Sequence, residues 1–212
     1  MNSVPAEFTV TISMQTLDAA LRCISASDVR PLCNSIHFID GVCVAADGCM
    51  LLIQSGLNFK GRFSMSPDLV KWILKAKKKF ASVDVTVNKA TEPKDYEHDR
   101  LTVTLGDGET RSELTFDTSL SAQNALAAYS PEITPLPASR TALASDYLER
   151  AGRIGKILER PIAYVHTQGR RATVIRLCKG HKEETTDVHL VVMPQRVDWF
   201  FEQPAPALKK AA

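Results

Sequence analysis

The chain has 212 residues, 44% of them hydrophobic and 24% charged, with a formal net charge of +2; that is enough for one large domain or one and a half to two small ones with a core of their own. Its five cysteines, Cys23, Cys33, Cys43, Cys49 and Cys178, are odd in number and form no CxxC pair, which points to free thiols in a reducing compartment and away from a disulfide scaffold. No basic region followed by a long apolar run opens the sequence, and no stretch approaches the roughly 20 apolar residues of a membrane span, so a soluble cytoplasmic protein without a membrane partner is expected.

The first predicted strand is Glu7 to Ser13, alternating with period two. Leu17, Ala20, Leu21 and Ile24 then recur at helical spacing, which predicts a helix over Met14 to Ser27 with Ser13 as its N-cap. Strands at Asn34 to Ile39 and Val42 to Ala46 flank Asp40-Gly41, a two-residue hairpin signal, and Asp47-Gly48 precedes a third strand, Met50 to Ile53.

A second unit of the same plan starts with a strand at Phe59 to Ser64. Ser66-Pro67 is a helix start, because Ser caps a free amide and Pro occupies a position that needs none. Leu69, Ile73, Ala76 and Phe80 share one face of the helix, and Lys71, Lys75 and Lys78 share the opposite one. Strands follow at Val83 to Val87, Leu101 to Leu105 and Glu113 to Phe116, the last two joined by a hairpin at Gly106-Asp107-Gly108, with a polar loop over Thr91 to Arg100.

Pro131, Pro135 and Pro137 make Ala125 to Ser139 read as a linker. A third unit follows: a strand at Thr141 to Ala144, a helix from Asp146 to Glu159 capped by Ser145, and strands at Ile162 to His166, Ala172 to Leu177 and Val188 to Val192. The pattern is an α+β repeat of strand, helix and strands, with helices on one face and antiparallel sheets on the other. The boundaries are a domain over 1–137, a half-domain over 138–196 and a tail over 197–212.

Charge is segregated along the chain. Residues 139–180 hold nine Lys or Arg against three acids, whereas residues 84–117 hold nine acids against four bases. Arg150, Arg153, Lys156 and Arg160 fall on one side of the third unit's helix, opposite Tyr147, Ala151, Ile154 and Leu158. With Lys71, Lys75 and Lys78 they make two basic helix faces suited to phosphate contact, although solvated helix faces are also commonly Lys- and Arg-rich.

Catalytic readings find little support. His181 and His189 flank an acidic turn and do not have metal-ligand spacing, and His37 sits in a strand as a surface or partly buried residue. The Gly106-Asp107-Gly108 motif precedes no helix, so it is no phosphate cradle. Cys49 has no assignable general base. No enzyme activity, cofactor or metal is expected.

Four short motifs carry a family resemblance. Asp28 to Phe38, Val44 to Leu51, Tyr129 to Pro137 and Val191 to Arg196 resemble, in this order, three stretches of the middle domain and the C-terminal strand of the bacterial DNA polymerase III beta sliding clamps. Residues 7–137 resemble the whole middle domain, and 139–196 the second half of the last domain. Departures are local as well: Cys49 and Met50 stand where the family motif has His-Arg, Cys33 replaces a leucine, Gln195 replaces a methionine, and the chain continues past the family's terminal motif.

The resemblance implies a non-enzymatic scaffold for replication or repair. In the family a cleft between the middle domain and the C-terminal strand takes short apolar peptides from partners such as polymerase or clamp-loader subunits. Carried over, that cleft would be lined by Cys33, Ala46, Cys49, Leu51, Pro137, Val191, Met193, Pro194 and Arg196; in the alternative, Val191 to Pro194 is a core strand and the pocket is filled. The family also contacts double-stranded DNA through helices, without reading bases, which would use Lys71, Lys75, Lys78, Arg150, Arg153, Lys156 and Arg160. The rival reading is an interaction decoy that mimics or blocks a clamp's cleft without DNA. Gln195 to Phe200 resembles the peptides clamps bind, but aromatics of this kind more often pack on their own protein. Self-association is expected if the half-domain over 139–196 pairs with its copy in a neighbour, and a closed ring would extend that pairing; in the alternative the half packs back onto residues 7–137 as a monomer.

Overall fold

A computed structural model describes residues 7–89, 99–115, 119–128, 143–167, 172–180 and 186–193. In the first unit, β1 (Glu7–Ser13) buries Val10 and Ile12 and hands over directly to α1 (Met14–Leu21), whose Thr16 amide donates to Ser13 Oγ at 3.0 Å. The helix closes at Leu21, well before Ser27, with the Arg22 amide bonded to the carbonyls of Ala19 and Ala20. A short helix, α2 (Pro31–Asn34), takes Asn34, the first residue of the strand expected at Asn34 to Ile39, because proline tolerates a first helical position and starts the turn at Pro31. Then come β2 (Ile36–Ile39), β3 (Val42–Ala46) and β4 (Met50–Gln54). Asp40 and Gly41 both have positive φ (44° and 85°), as the favoured two-residue hairpin requires.

The second unit is β5 (Arg62–Met65), α3 (Pro67–Lys75), β6 (Ser82–Asn88), β7 (Asp99–Thr104) and β8 (Thr110–Thr115). Ser66 Oγ accepts from the Leu69 amide at 3.1 Å, as expected of the cap. The helix ends at Lys75 with Ala76 as C-cap, so Lys78 lies in the turn beyond it and not on a helix face. Continuation would have stacked Lys71, Lys75 and Lys79 at i, i+4 spacing, where like charges oppose a helix.

The two units interlock by exchanging their leading strands. β1 pairs with β6, the first strand after α3, and β5 pairs with β2, the first strand after the segment carrying α1 and α2. The helices meet as well: α1 packs on α3, with Lys77 Nζ 3.2 Å from Asp18 Oδ2. One sheet runs β1-β6-β7-β8. Phe38, stacked on Phe63 with centroids 4.7 Å apart, lies in a core that joins both sheets to α1, α3 and α5.

The third unit consists of α5 (Ser145–Ile157), β9 (Ile162–Thr167), β10 (Thr173–Cys178) and β11 (Val188–Val192). Ser145 is the first helical residue, not the cap; Ala144 holds that place and offers no side-chain bond. Leu143 and Ala144 belong to no strand, and the rest of the strand expected at Thr141 to Ala144 lies outside the described residues. β11 runs antiparallel to β4, with Val191 opposite Leu51 and Val192 opposite Met50. This fuses the third unit to the first in one seven-stranded sheet, β5-β2-β3-β4-β11-β10-β9. Of the two packings open to the half-domain, its β11 edge thus folds back within the chain.

The linker reading is corrected over 125–128, which belong to a helix, α4 (Ser119–Ala128); residues 129–142 lie outside the described residues. α1 and α5 cover one face of the seven-stranded sheet, while α4 packs on the other, where Ala122 is buried against Ile39 and Val44. His37 is fully buried rather than near the surface, its Nδ1 2.9 Å from Ser64 Oγ. Among the described residues no helix is long and apolar enough to cross a membrane.

Candidate peptide cleft and nucleic-acid face

The corner between β3 and β4 is held from several sides. Asp47 Oδ1 accepts from the amides of Cys49 (2.9 Å) and Met50 (2.7 Å), an Asx turn that fixes the loop. The other carboxylate oxygen pairs with Arg150 of α5. Gly48 sits at φ 91°, and a Cβ there would lie 2.3 Å from Arg30 Nη2, so the Arg30 guanidinium occupies the space over the turn. Arg30 is in turn gripped by Asp28 through two bonds of 2.9 and 2.6 Å, which hold the Asp28 carboxyl at about 2. Cys49 beside the Tyr147 phenol of α5, together with partial burial, pushes that phenol up to about 12. The Arg150 guanidinium lies 5.3 Å from the Tyr147 ring centroid, within cation–π range.

Beside this corner the end of β11 completes a cleft. The Met193 amide donates to the Cys49 carbonyl at 2.8 Å, extending the β4–β11 ladder by one bond. A largely apolar cavity of about 290 Å³ opens at the junction, and Ala46, Cys49, Leu51, Val191 and Met193, all expected from sequence, line it together. Met193 is 56% exposed at its rim. Cys33 does not line it: the thiol is 2% exposed, and burial raises its pKa, while its neighbour Leu32 faces the cavity instead. Pro137, Pro194 and Arg196 lie outside the described residues, as does the Gln195 to Phe200 segment. Met50, Ala125 and Ala172 also line the cavity without having been singled out. The Ala-rich run of α4 was the available signal for Ala125.

The basic stripe is thinner than its sequence suggested. Lys71, Lys75, Lys78, Arg153 and Lys156 are exposed. Lys71 sits 3.3 Å from Asp68, and Arg153 pairs with Glu149 on its own helix. Arg150 is turned into the Asp47 pair and Arg160 is 9% exposed and bonded to Asp187, so these two do not present free charge to solvent. Periodicity locates a helix face but is blind to acids arriving from other elements. Among the described residues no group of three or more His, Cys, Asp or Glu side chains could hold a metal ion.

Two units interlocked by strand exchange, with sheets spanning unit boundaries over a helical layer, define the fold of the bacterial DNA polymerase sliding clamps. The sliding clamp of Bacillus subtilis matches with a TM-score of 0.57 at 13% identity, over 92% of this chain and 66% of that one. The DNA polymerase III beta subunit of Pseudomonas aeruginosa gives 0.55 at 15%, and the sliding clamp of Caulobacter crescentus 0.52 at 12%, each over 93% of this chain and 68% of the other. The chain therefore spans about two thirds of the length of these clamps. No family model and no curated protein matches it by sequence.

Proposed function

We propose that the chain is a non-enzymatic, clamp-like scaffold whose cleft between β4, β11, α2 and α4 binds a short apolar peptide segment of a replication or repair protein, such as a polymerase or clamp-loader subunit. The carrying observation is convergence: Ala46, Cys49 and Leu51 from one end of the chain and Val191 and Met193 from the other line a single apolar cavity. Such a groove binds by seating one or two anchor side chains, each contributing about 2 kcal/mol or more. A labelled clamp-binding peptide should bind with a Kd of roughly micromolar order, and Met193→Asp should abolish binding without unfolding the protein, because a charge would have to be desolvated at the rim. No binding to the wild type at ~1 mM peptide would overturn the cleft.

On the helical side, exposed Lys71, Lys75, Lys78, Arg153 and Lys156 support weak, sequence-independent contact with double-stranded DNA. Exchanging Lys71, Lys75, Arg153 and Lys156 for Glu should abolish binding to a DNA column and the salt dependence that goes with it. The withdrawal of Arg150 and Arg160 into ion pairs and the acids at Asp68 and Glu149 favour a second reading, an interaction decoy that binds clamp partners without DNA. Retention of a polymerase or clamp-loader subunit by a protein that does not bind DNA at low salt would select it.

A further inference from the structure

The sheet face that carries the cleft continues past it into a basic patch. On β11, Val191 lines the cleft, and His189, two residues away, shares its face. Ala172, just before β10, lines the cleft too, and Val174 and Arg176 follow it on the same face. Val174 stands opposite Val191, and Arg176 opposite His189. β9 adds Tyr164 opposite Arg176 and His166 opposite Val174. The register thus gathers Arg176, His166, His189 and Tyr164 in one patch, whose His189 lies two residues, or about 7 Å, along the strand from Val191.

Arg176 is the member of this patch without a counter-charge. Arg150, Arg153 and Arg160 of the same unit each pair with a carboxylate. Arg176 is partly buried, and its Nε is shut away from solvent with no hydrogen-bond partner among the described residues. Asp187, the acid that acts on His189, is bonded to Arg160. Tyr164 and His189 have further interactions of their own, so they do not share in this deficit. A guanidinium withdrawn from water without a partner costs free energy, and a group left in that state in a native fold calls for an ion or ligand to satisfy it. The neighbouring rings register the excess positive charge: His166 and His189 are both held below the usual histidine value, first by burial and then by Arg176.

We infer that Arg176, with His166 and His189 beside it, is a carboxylate-binding subsite that extends the cleft, and that the segment captured there carries an Asp or Glu two to four residues from its apolar anchor. The inference rests on the peptide reading of the cleft and adds the chemistry of the partner. Continuity selects this occupant, since β10 and β11 both lead from cleft-lining residues to the patch on one face. An extended segment advances about 3.3 Å per residue, so two to four residues carry it from Val191 to the patch. The guanidinium fork matches a carboxylate with two parallel bonds, and a neutral imidazole still has one N–H to donate.

Fluorescence anisotropy at low salt tests this with labelled peptides that share the apolar anchors and carry Glu-Glu-Glu or Gln-Gln-Gln on one flank or the other. The wild type should prefer the acidic peptide by about tenfold on one flank. Arg176→Gln should bind both peptides alike with no loss of Tm, because it removes a charge that lacks a partner. Lys75→Gln, an exposed site on α3, should keep the preference. No preference in the wild type, or a preference that survives Arg176→Gln or is lost equally in Lys75→Gln, overturns the subsite. If no anchored peptide binds at all, the cleft reading falls, and free triglutamate at ~10 mM decides the subsite alone through the ring signals of His166 and His189 in NMR spectra. Shifts in the wild type that vanish in Arg176→Gln would sustain it, and unmoved signals would overturn it.

Discussion

Asp47→Ala tests the joint on which the cleft depends. The side chain is 11% exposed and does three things: it accepts from the Cys49 and Met50 amides and it pairs with Arg150 of the third unit. The Cys49 amide can return to water, but the Met50 amide is partly shielded, so losing the two charge-assisted bonds costs about 2 kcal/mol. The Arg150 side chain is 32% exposed, which limits the ion pair to about 1 kcal/mol. Asp47→Ala should therefore cost about 3 kcal/mol, a Tm loss of roughly 6 to 12 °C for a chain of this size. Asp47→Asn keeps an acceptor for the amides and should cost about half as much. Urea titration gives the energies, and a double-mutant cycle with Arg150→Met should return a coupling of about 1 kcal/mol. A loss below about 0.5 kcal/mol for Asp47→Ala, or a coupling indistinguishable from zero, would refute the view that this carboxylate ties α5 to the cleft corner.

Two further outcomes follow from the geometry. Gly41→Ala should cost about 2 to 4 kcal/mol by urea unfolding, since φ is 85° and the new Cβ would lie 2.6 Å from the Leu57 carbonyl oxygen, a backbone atom that cannot step aside. His166 and His189 are both held below the usual histidine value, first by burial and then by the Arg176 cation. The unfolded chain therefore binds more protons between pH ~6.5 and the lower folded values, so the stability from these neutral rings is complete above pH ~6.5 and lost as pH falls from there through the folded values. Arg176→Gln should move both histidine titrations upward in NMR spectra; unchanged midpoints would remove Arg176 as a cause.

How far the sequence could be read depended on whether a signal was local. Ser13, Ser66 and Asp40-Gly41 act within a few residues of themselves, and each does in the structure what its residue type implies. α4 was missed because the prolines beyond it dominated the composition of the window, although Ala122, Ala125 and Leu126 carry helical spacing. Arg150 and Arg160 were assigned to a solvent face because helix periodicity says nothing of Asp47 and Asp187, which come from turns far away in the chain. For the cleft, Val191 and Leu51 were legible as a pair through a motif resemblance, whereas Leu32, Ala125 and Ala172 join them through tertiary packing that no short spacing encodes.

The third unit spends one edge on the cleft corner: β11 is bonded to β4, and that pairing brings Val191 opposite Leu51 and Met193 to the same cavity. β9 lies two strands away, beyond β10. Strands are spaced about 4.8 Å apart, so roughly 10 Å of bonded sheet separates β9 from β11, and a substitution on β9 has no side-chain route to the cavity. Val165, 52% exposed on β9, is the control position. Val165→Lys should leave peptide affinity within about twofold of wild type, while Met193→Asp should abolish it. Peptide titration by fluorescence anisotropy reads both, and an equal loss from the two substitutions would show that binding is not confined to the junction of β4 and β11.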